Sequence, residues 1–559
     1  MSSGVTTIPV LDASELQDGQ MKQVEFGKEG KILLSKVRGR VHATSAFCTH
    51  YGAQLVKGTL ESSGRVVCPW HGACFNVCTG DIEDAPALDA IHSFPCEVKD
   101  GKIYVTAKEE STLKNNMARP PAVASLVLDS PDQEAVVIVG GGASTIHAVE
   151  SLRIHGFGGS ITVLSKEGYA PIDRTRLSKS LGMDLSKLQW RTPQQLKEKY
   201  NVDYRTNVEV TAVDTVNRTV TVGGTEQVNY TKLILATGAT PRKLGVEGEN
   251  LNGVSAMRQF SDAEKINAGL QKGKKLVVVG SSFISMELVA AAQKKELAER
   301  HVVGSGSSKL PFAAILGDQI GQALFDFHKK NGVQFHMSSG VQALKPSAAD
   351  PSSVGSVLLK DGTEIEADVV VLGVGVRPAT EFLKGSKLES AMQRDGGLKV
   401  DGHLRVEGFE DVFALGDIAV YPQAQDGVYK RIEHWNVASN HGRAVGETIG
   451  KRHDKLAAGF KKVPIFWSGQ GMNLRYCGIG DGWDDVIING NLDELKFAAY
   501  YCKEGKVIAA ASMNSDPIVT RSAELLRLGI MPTPDEIRGG KDLYTIDIAT
   551  RPIETAPGV

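Results

Sequence analysis

Two strand–turn–helix patterns, which recur about 140 residues apart, constrain this chain most. The run AVVIVGGGASTIHAVESLR reads as a buried strand, a glycine turn and a helix, and KKLVVVGSSFISMELVAAAQKK has the same order. A glycine turn between a parallel strand and a helix lets a pyrophosphate approach the helix N-terminus. The repeat therefore predicts two α/β dinucleotide-binding domains. At 559 residues the chain is too long for one hydrophobic core, so further domains are expected.

Composition excludes several classes of protein. The formal net charge is −2, so no basic field is present to attract nucleic acid or an anionic membrane. No apolar run approaches the roughly 20 residues that span a bilayer. The first 21 residues contain no Lys or Arg, unlike a secretory or mitochondrial targeting signal. We expect a soluble cytoplasmic protein, monomeric or homodimeric, with a mitochondrial association left open.

Five of the seven cysteines lie in the first hundred residues, which favours a local metal site over a disulfide framework. Two short pairs stand out there: Cys48-Thr-His50 and, 17 residues later, Cys68-Pro-Trp-His71. A Rieske-type [2Fe–2S] cluster needs two thiolates on one iron and two imidazoles on the other. Tetrahedral zinc is the alternative, but zinc fingers pair cysteine with cysteine and histidine with histidine in sequence.

The segments CTHYGAQL and CPWHGACFNVCTGDIEDAPA resemble the ligand loops of the Rieske family. The resemblance implies that Cys48 and Cys68 bind one iron and that His50 and His71 bind the other. High-potential members carry an extra cysteine in each loop, whereas this chain has Ala53 in the first loop and Trp70 in the second. We therefore expect a potential nearer to about −150 mV than to +300 mV.

The first glycine turn holds the residues expected to approach a dinucleotide pyrophosphate. Gly140 permits the tight turn and Gly142 the close backbone approach, and Thr145 replaces the third glycine, which should loosen helix–strand packing slightly. The next strand leads to Lys166 and to Glu167, the candidate acidic residue for ribose. The same turn supplies Ala143 and Ser144.

The second glycine turn is less regular. It comprises Gly280, Ser281, Ser282, Phe283 and Ile284. Serines stand at its other two glycine positions, 282 and 285, and Gly304 or Ser305 stands where Glu would bind an NAD ribose. The choice between NADH and NADPH therefore stays open, and a degenerate domain that binds nicotinamide poorly is the alternative.

The order of motifs resembles the pyridine-nucleotide–disulfide oxidoreductase fold, and within it apoptosis-inducing-factor-like proteins that bear an N-terminal Rieske domain. The motifs are LSKEGYAPIDRTRLSK, VVVGSSFISMEL, GVGVRP with Gly375, LGDIA, RIEHWNVASNHGRAVG and PIFWSGQG. In LGDIA, Asp417 is placed to accept a hydroxyl of the FAD ribityl chain, or to cap a helix. The resemblance implies an ion pair between Lys179 and Glu287 beside the flavin N5 atom. It also implies FAD contacts at Arg174, Lys179, Val210, Asp417, His434, Trp435 and Trp467.

The predicted fold is multidomain: a small all-β Rieske domain, two Rossmann-like domains and a C-terminal α+β domain. The predicted bounds are 1–108 for the Rieske domain, 109–132 for a linker, 133–255 and 381–455 for the FAD domain, 256–380 for the NAD(P) domain and 456–559 for the C-terminal domain.

The predicted activity is transfer of electrons from NAD(P)H through FAD to the cluster and on to an unknown acceptor. No C-x4-C or C-x2-C pair follows the first glycine turn, so a redox disulfide is not expected. The alternative is a redox-sensing interaction protein with nucleotide-dependent dimerisation. A nitrite reductase would need four further cysteines, whereas only Cys477 and Cys502 lie beyond the Rieske domain.

Overall fold

The computed structural model describes residues 4–119, 134–306, 308–450 and 459–552. Within these residues, no helix is long and apolar enough to cross a membrane. The predicted fold class is confirmed: an all-β domain precedes two parallel α/β sheets and a C-terminal α+β domain.

The N-terminal domain consists of short antiparallel strands, as its alternating segments and glycine turns predict. Two sheets form its base, and a separate four-stranded sheet supports the second Cys/His pair. The base strands are Thr6–Asp12, Met21–Phe26, Gly30–Val37, Arg40–Ser45, Ser93–Phe94, Cys96–Lys99 and Lys102–Ala107. The four-stranded sheet contains Thr59–Leu60, Arg65–Val67, Cys74–Asn76 and Ile82–Asp84.

The described part of the predicted linker, residues 109–119, packs against this domain instead of spanning open solvent. The Glu109 carboxylate accepts the backbone N–H groups of Lys28 (2.6 Å) and Glu29 (3.1 Å). Ala118–Arg119 pairs with Ala90–Ile91 as a short antiparallel strand. Polar side chains in this segment form hydrogen bonds with backbone groups of the domain. The polar composition of residues 109–119 therefore suggested a linker although the segment is packed. The remainder of the predicted linker, 120–132, lies outside the described residues.

The first α/β domain has a parallel five-stranded sheet, and two helices of this domain pack face to face. They are Ala143–Ile154 and Trp435–Gly450, the second of which we call the docking helix. A Cβ atom on Gly446 would lie 2.5 Å from the Cβ of Ser151, so glycine is what permits this close approach. The sheet order is Val202–Arg205, Ser160–Leu164, Ala135–Val139, Lys232–Leu235 and Val412–Ala414.

The second α/β domain repeats the parallel arrangement. Its sheet order is Val254–Ala256, Val369–Leu372, Lys275–Val279, Glu299–Gly304 and Val333–Met337. Its helices are Phe260–Gly269, Phe283–Ala291, Ala313–Leu316 and Asp318–Lys330. Ligands of such sheets bind at the carboxyl ends of the strands. Antiparallel ribbons accompany the two sheets: Val210–Asp214, Thr219–Val222 and Glu226–Asn229, then Val341–Pro346, Val354–Leu359 and Glu364–Glu366.

The C-terminal domain is a five-stranded antiparallel sheet with helices Ile518–Arg527 and Pro534–Arg538. Its strands are Ile465–Gly469, Asn473–Gly478, Asp485–Asn491, Lys496–Lys503 and Lys506–Met513. The remaining short helices are Leu185–Leu188 and Pro193–Tyr200, and the remaining short strands are Ala239–Pro241, Val376–Pro378, Leu398–Lys399, Ala419–Pro422 and Tyr429–Arg431.

Candidate functional site

The two Cys/His pairs lie in loops with the same backbone design. In each, the cysteine N–H donates to the carbonyl of the alanine five residues later, at 2.8 Å, so that Cys48 closes on Ala53 and Cys68 on Ala73. Each loop turns at a glycine with positive φ, +75° at residue 52 and +72° at residue 72. Only glycine adopts such angles freely, which explains why both sequences, HYGA and WHGA, have glycine at the same position.

The loops bring like side chains together in two pairs. The Cys48 and Cys68 thiols are buried and in hydrogen-bond contact, and each accepts backbone N–H groups of its own loop. The Nδ1 atoms of His50 and His71 are 3.0 Å apart. Burial lowers the pKa of His50 to about 4, so its imidazole is in the neutral form that binds metal.

This arrangement suits a binuclear cluster. One thiolate pair and one imidazole pair are the donors that a Rieske cluster requires. Among the described residues, no group of three or more His, Cys, Asp and Glu side chains is arranged around a single metal position.

A cavity of ≈1190 Å³ opens between the two α/β domains and the C-terminal domain. Most of the predicted cofactor residues form its wall. They are Gly140, Gly142, Ala143, Ser144, Lys166, Glu167, Arg174, Lys179, Val210, Ser282, Phe283, Ile284, Asp417, His434, Trp435 and Trp467, joined by Glu287. Three predicted residues, Gly280, Ser281 and Gly375, do not line it.

The first glycine turn presents an open backbone to the cavity. Gly140 has φ +115°, and a Cβ atom there would lie 2.2 Å from the carbonyl oxygen of Ala236. A Cβ atom on Gly142 would meet nothing within 4 Å, so this position faces free space at the start of a helix. The Thr145 hydroxyl donates to the carbonyl of Gly140 at 2.7 Å. Threonine therefore ties the turn to the helix, contrary to the loosening that we expected.

Two charged contacts shape the cavity wall. Arg174 is half-buried and donates to the Glu167 carboxylate at 2.7 Å and to the carbonyl oxygen of Arg258 at 2.7 Å. Arg258 in turn donates to Asp417 at 3.2 Å. The sequence offered no motif for Arg258, which lies between the two α/β units and lines the cavity.

Buried polar atoms without partners show that this cavity fits a polar ligand. Two of its side chains, His434 through Nδ1 and Trp435 through Nε1, carry such atoms. Burial lowers the pKa of His434 to about 4, so its imidazole is neutral. Buried polar groups are nearly always hydrogen-bonded, so these two are suited to contact a bound cofactor such as FAD.

Lys179 and Glu287 form an ion pair in the cavity wall, with Nζ and Oε2 2.8 Å apart. The Glu287 side chain is only 4% exposed, and Ser178 and Ser468 donate to it at 2.5 Å and 2.7 Å. Ser468 also accepts from Gln470 at 2.8 Å. The two serines and the glutamine were not predicted individually, although Ser178 belongs to the motif LSKEGYAPIDRTRLSK and Ser468 and Gln470 belong to PIFWSGQG.

The second glycine turn differs from the first because neighbouring side chains fill it. A Cβ atom on Gly373 would lie 1.9 Å from the Ser285 hydroxyl, so the serine occupies space that a third glycine would leave empty. The following strand ends at Gly304, and a Cβ atom there would lie 2.8 Å from the Cε of Met337. Met337 therefore occupies the place of the expected acidic side chain.

The Cys/His site and the cavity share a wall of aromatic rings. The His71 ring lies 4.2 Å from the Trp467 ring, centroid to centroid. On the other side, Trp190 stacks with His50 at 6.0 Å and with Trp435 at 6.2 Å. Trp190 was not predicted, since nothing near it in sequence marks a site.

Buried polar contacts hold the N-terminal domain on the rest of the chain. Asn440 accepts the N–H of Ala85 at 2.9 Å, and Arg443 donates to the carbonyl oxygen of Ile82 at 2.6 Å. Both polar side chains come from the docking helix. Arg475 of the C-terminal sheet donates to the carbonyl oxygen of the ligand-loop residue Trp70 at 2.6 Å.

Three family models match the chain in succession. Residues 6–95 match the Rieske [2Fe-2S] domain, residues 134–442 the pyridine nucleotide-disulphide oxidoreductase, and residues 465–542 the reductase C-terminal domain. The Rieske match decides between an iron–sulfur cluster and zinc, in favour of [2Fe–2S].

Curated relatives and solved structures agree with these matches. Apoptosis-inducing factor 3 of Homo sapiens is 37% identical over 526 residues, covering 93% of this chain and 84% of the relative. Rhodocoxin reductase of Rhodococcus erythropolis is 30% identical and covers 72% of this chain and 91% of its own length. The ferredoxin reductase for the CYP199A2 system from Rhodopseudomonas palustris aligns with a TM-score of 0.68 and 27% identity, over 74% of this chain and 99% of that one. The chain therefore belongs to the pyridine nucleotide-disulphide oxidoreductase family, as an NAD(P)H- and FAD-dependent oxidoreductase that also carries a Rieske [2Fe–2S] domain.

Proposed function

We propose that this enzyme passes electrons from NAD(P)H through FAD to its own Rieske cluster and then to a separate acceptor. The observation that carries the proposal is the contact between His71 and Trp467, whose ring centroids are 4.2 Å apart. Trp467 lines the cavity that suits FAD, and His71 is a proposed cluster ligand. Electron tunnelling falls steeply with distance, so this contact makes the cluster the natural exit for electrons from the flavin.

The cavity residues support the first half of this route. When bound, FAD takes a hydride from NAD(P)H, and the cluster exchanges one electron at a time. Lys179 is the proposed cation that stabilises negative charge arriving on the flavin, and Glu287 orients it. Arg174, Asp417, His434 and Trp435 are the proposed FAD contacts, because they line the cavity with charged groups or unpartnered polar atoms.

The second half of the route is supported by the fixed docking of the Rieske domain. Asn436 of the docking helix donates to the carbonyl oxygen of Ala85 at 3.2 Å, and Lys462 donates to that of Gly72 at 3.1 Å. Separating the domains would leave such buried groups without partners, at a cost of about 1–3 kcal/mol for each. A fixed position keeps the distance between the two redox sites constant.

Anaerobic stopped-flow mixing of the complete protein with NADH or NADPH tests the proposal. Flavin absorbance and the electron paramagnetic resonance signal of the reduced cluster are followed separately. We expect flavin reduction first and cluster reduction afterwards within the same chain, at a rate independent of protein concentration. A cluster that stays oxidised beside a reduced flavin would refute the proposal. Slow reduction with a change of oligomeric state, measured by size-exclusion chromatography, would support the redox-sensing alternative instead.

A further inference from the structure

The ligand loops reach solvent through two aromatic side chains. Within residues 48–53 and 68–73, only Tyr51 and Trp70 are exposed, each to 37%. Their rings flank His71, with centroids 5.4 Å and 6.4 Å away, and Tyr51 also stacks on His50 at 3.8 Å. The exposed surface of the two ligand loops therefore consists mainly of these two rings.

Two cationic side chains lie beside the first loop, and a third follows this loop in the sequence. The Cζ atom of Arg176 lies 5.8 Å from the centre of the Tyr51 ring. A Cβ atom on Gly52 would lie 2.8 Å from the Cε of Lys114, and exposed Lys57 ends the turn that follows the first loop.

Among the residues that the structure describes, these cations have no carboxylate partner. In the described parts of the chain, no carboxylate oxygen lies within 4 Å of Lys57, Lys114 or Arg176. Asp173 accepts the Tyr51 hydroxyl, but it is only 4% exposed and is also bonded to Thr175. The Asp173 carboxylate is therefore a buried partner of the Tyr51 hydroxyl and adds little exposed negative charge beside these cations. We call the two aromatic and three cationic residues the cationic rim.

We propose that the cationic rim is the docking surface for an acidic protein that carries one electron. This inference rests on the proposed function, in which the Rieske cluster is the last redox centre of the chain. Unpaired cations steer an acidic partner during encounter. Tyr and Trp are the side chains that most often anchor interfaces, and electron-transfer encounters need only a small one.

The electron balance of this step is simple. A reduced cluster held by the two loops would be oxidised by one electron, which passes by way of the His50 and Tyr51 rings and reduces the partner's redox centre by one unit, with no bond made or broken and no proton transferred. The side of His71 that contacts Trp467 and the docking helix cannot serve the partner, because these groups already cover it.

Two haem proteins of opposite charge are suitable probes: acidic cytochrome b5 and basic cytochrome c. The complete protein is reduced with dithionite, freed of excess reductant and mixed with either oxidised probe. We expect cytochrome b5 to be reduced more slowly as salt is raised, since screening shortens the range of the attraction. Lys114→Glu and Trp70→Ser should each lower its second-order rate fivefold or more.

Matched controls lie on the C-terminal domain. Lys541 and Tyr544 are both exposed and distant in the chain from the ligand loops, so Lys541→Glu and Tyr544→Ser should leave the rate unchanged. Binding is measured separately, by titrating isotope-labelled oxidised cytochrome b5 with the oxidised protein and following its nuclear magnetic resonance lines. The rim variants should weaken this binding in the same order as they slow the reaction.

The outcomes separate this inference from the proposed function. Equal binding and equal rates in rim variants and controls would overturn the inference. A faster reaction with cytochrome c than with cytochrome b5, at a rate that the rim variants do not change, would also overturn it. If NADH fails to reduce the cluster while the dithionite-reduced protein still reacts through the rim, the proposed function fails and the docking surface stands.

Discussion

The imidazole of His71 packs against the indole of Trp467, with ring centroids 4.2 Å apart and planes inclined by 37°. The first residue belongs to the Rieske domain and the second to the first strand of the C-terminal sheet. A side chain supplied by the reductase thus touches a proposed cluster ligand and lines the flavin cavity at the same time.

Replacing Trp467 should therefore slow cluster reduction without slowing flavin reduction. In Trp467→Leu we expect cluster reduction after mixing with NADH to slow at least tenfold, equivalent to about 1.4 kcal/mol of barrier. Flavin reduction should change little, and FAD content is measured to confirm that the cavity is still filled. Trp483→Leu, in the same domain, is the matched control. Equal cluster reduction in both variants would show that the contact has no part in the transfer.

The ion pair between Lys179 and Glu287 should affect the hydride step instead. Lys179→Ala removes a partly buried cation from the cavity wall, so flavin reduction by NADH should slow about tenfold or more, equivalent to at least about 1.4 kcal/mol of barrier. Stopped-flow absorbance of the flavin measures this rate. Lys187→Ala is the control, because that side chain is 70% exposed. An unchanged rate in Lys179→Ala would remove the pair from the mechanism.

Arg174 and Asp417 should contribute to FAD retention. Arg174→Ala and Asp417→Ala each remove a charged hydrogen-bonding group from the cavity, with an expected loss of about 1.5–3 kcal/mol of FAD binding. FAD content after prolonged dialysis is the measurement, with Arg205→Ala on an edge strand of the same sheet as the control. Full occupancy in both cavity variants would contradict the assignment.

The close packing of the docking helix should depend on Gly446. In Gly446→Ala the new Cβ atom would meet the Cβ of Ser151 at 2.5 Å and the carbonyl oxygen of Ala148 at 2.8 Å. Overpacking of this kind costs about 1–3 kcal/mol, so thermal unfolding should begin at a lower temperature. Gly402→Ala is the control, since a Cβ atom there meets nothing within 4 Å. Equal melting temperatures would show that the helices separate freely.

A buried carboxyl pair should make stability depend on pH. Glu61 of the Rieske domain lies beside Glu524 of the C-terminal domain, and Arg527 contacts both, at 2.6 Å and 2.7 Å. Burial, followed by the charge of Glu524, raises the pKa of Glu61 to about 8. Burial also disfavours ionised Glu524, yet hydrogen bonding from Glu61 and the nearby arginines hold its pKa at about 2.

The direction in which stability changes with pH follows from proton binding to Glu61. Between the ordinary pKa of about 4.5 and the folded value of about 8, the folded protein holds a proton on Glu61 that the unfolded chain releases. Stability is therefore lost as pH rises through this window. Glu61→Gln should remove part of the fall in melting temperature between pH 6 and pH 9, whereas Glu25→Gln, which is exposed, should not. Parallel pH profiles for wild type and Glu61→Gln would contradict this account.

Local sequence was informative where the chemistry is local. Each ligand loop contains its own Cys, His and turn glycine within six residues, so these residues and their resemblance to the Rieske family were enough to predict the Rieske match. The glycine turns were recognisable for the same reason. The residues proposed as FAD contacts are scattered along the chain, and only the order of family motifs brought them together in advance.

Contacts between distant segments could not be predicted. Trp190 stacks beside His50, and Arg258 pairs with Asp417, because domain packing places them there and no neighbouring residue signals it. Thr145 was misjudged for a local reason, whereas the side chain that fills the space beside Gly304 comes from a distant segment. Thr145 finds a carbonyl acceptor within its own turn, and the space beside Gly304 is filled by Met337 from the adjacent strand.

The docking of the Rieske domain has a kinetic consequence. Free carrier proteins must meet their reductase by diffusion, so the encounter rate falls with dilution. A carrier held by Asn440 and Arg443 in the same chain acts at a fixed effective concentration, whatever the abundance of the protein. Abundance would limit only the final step, where the electron leaves for another molecule.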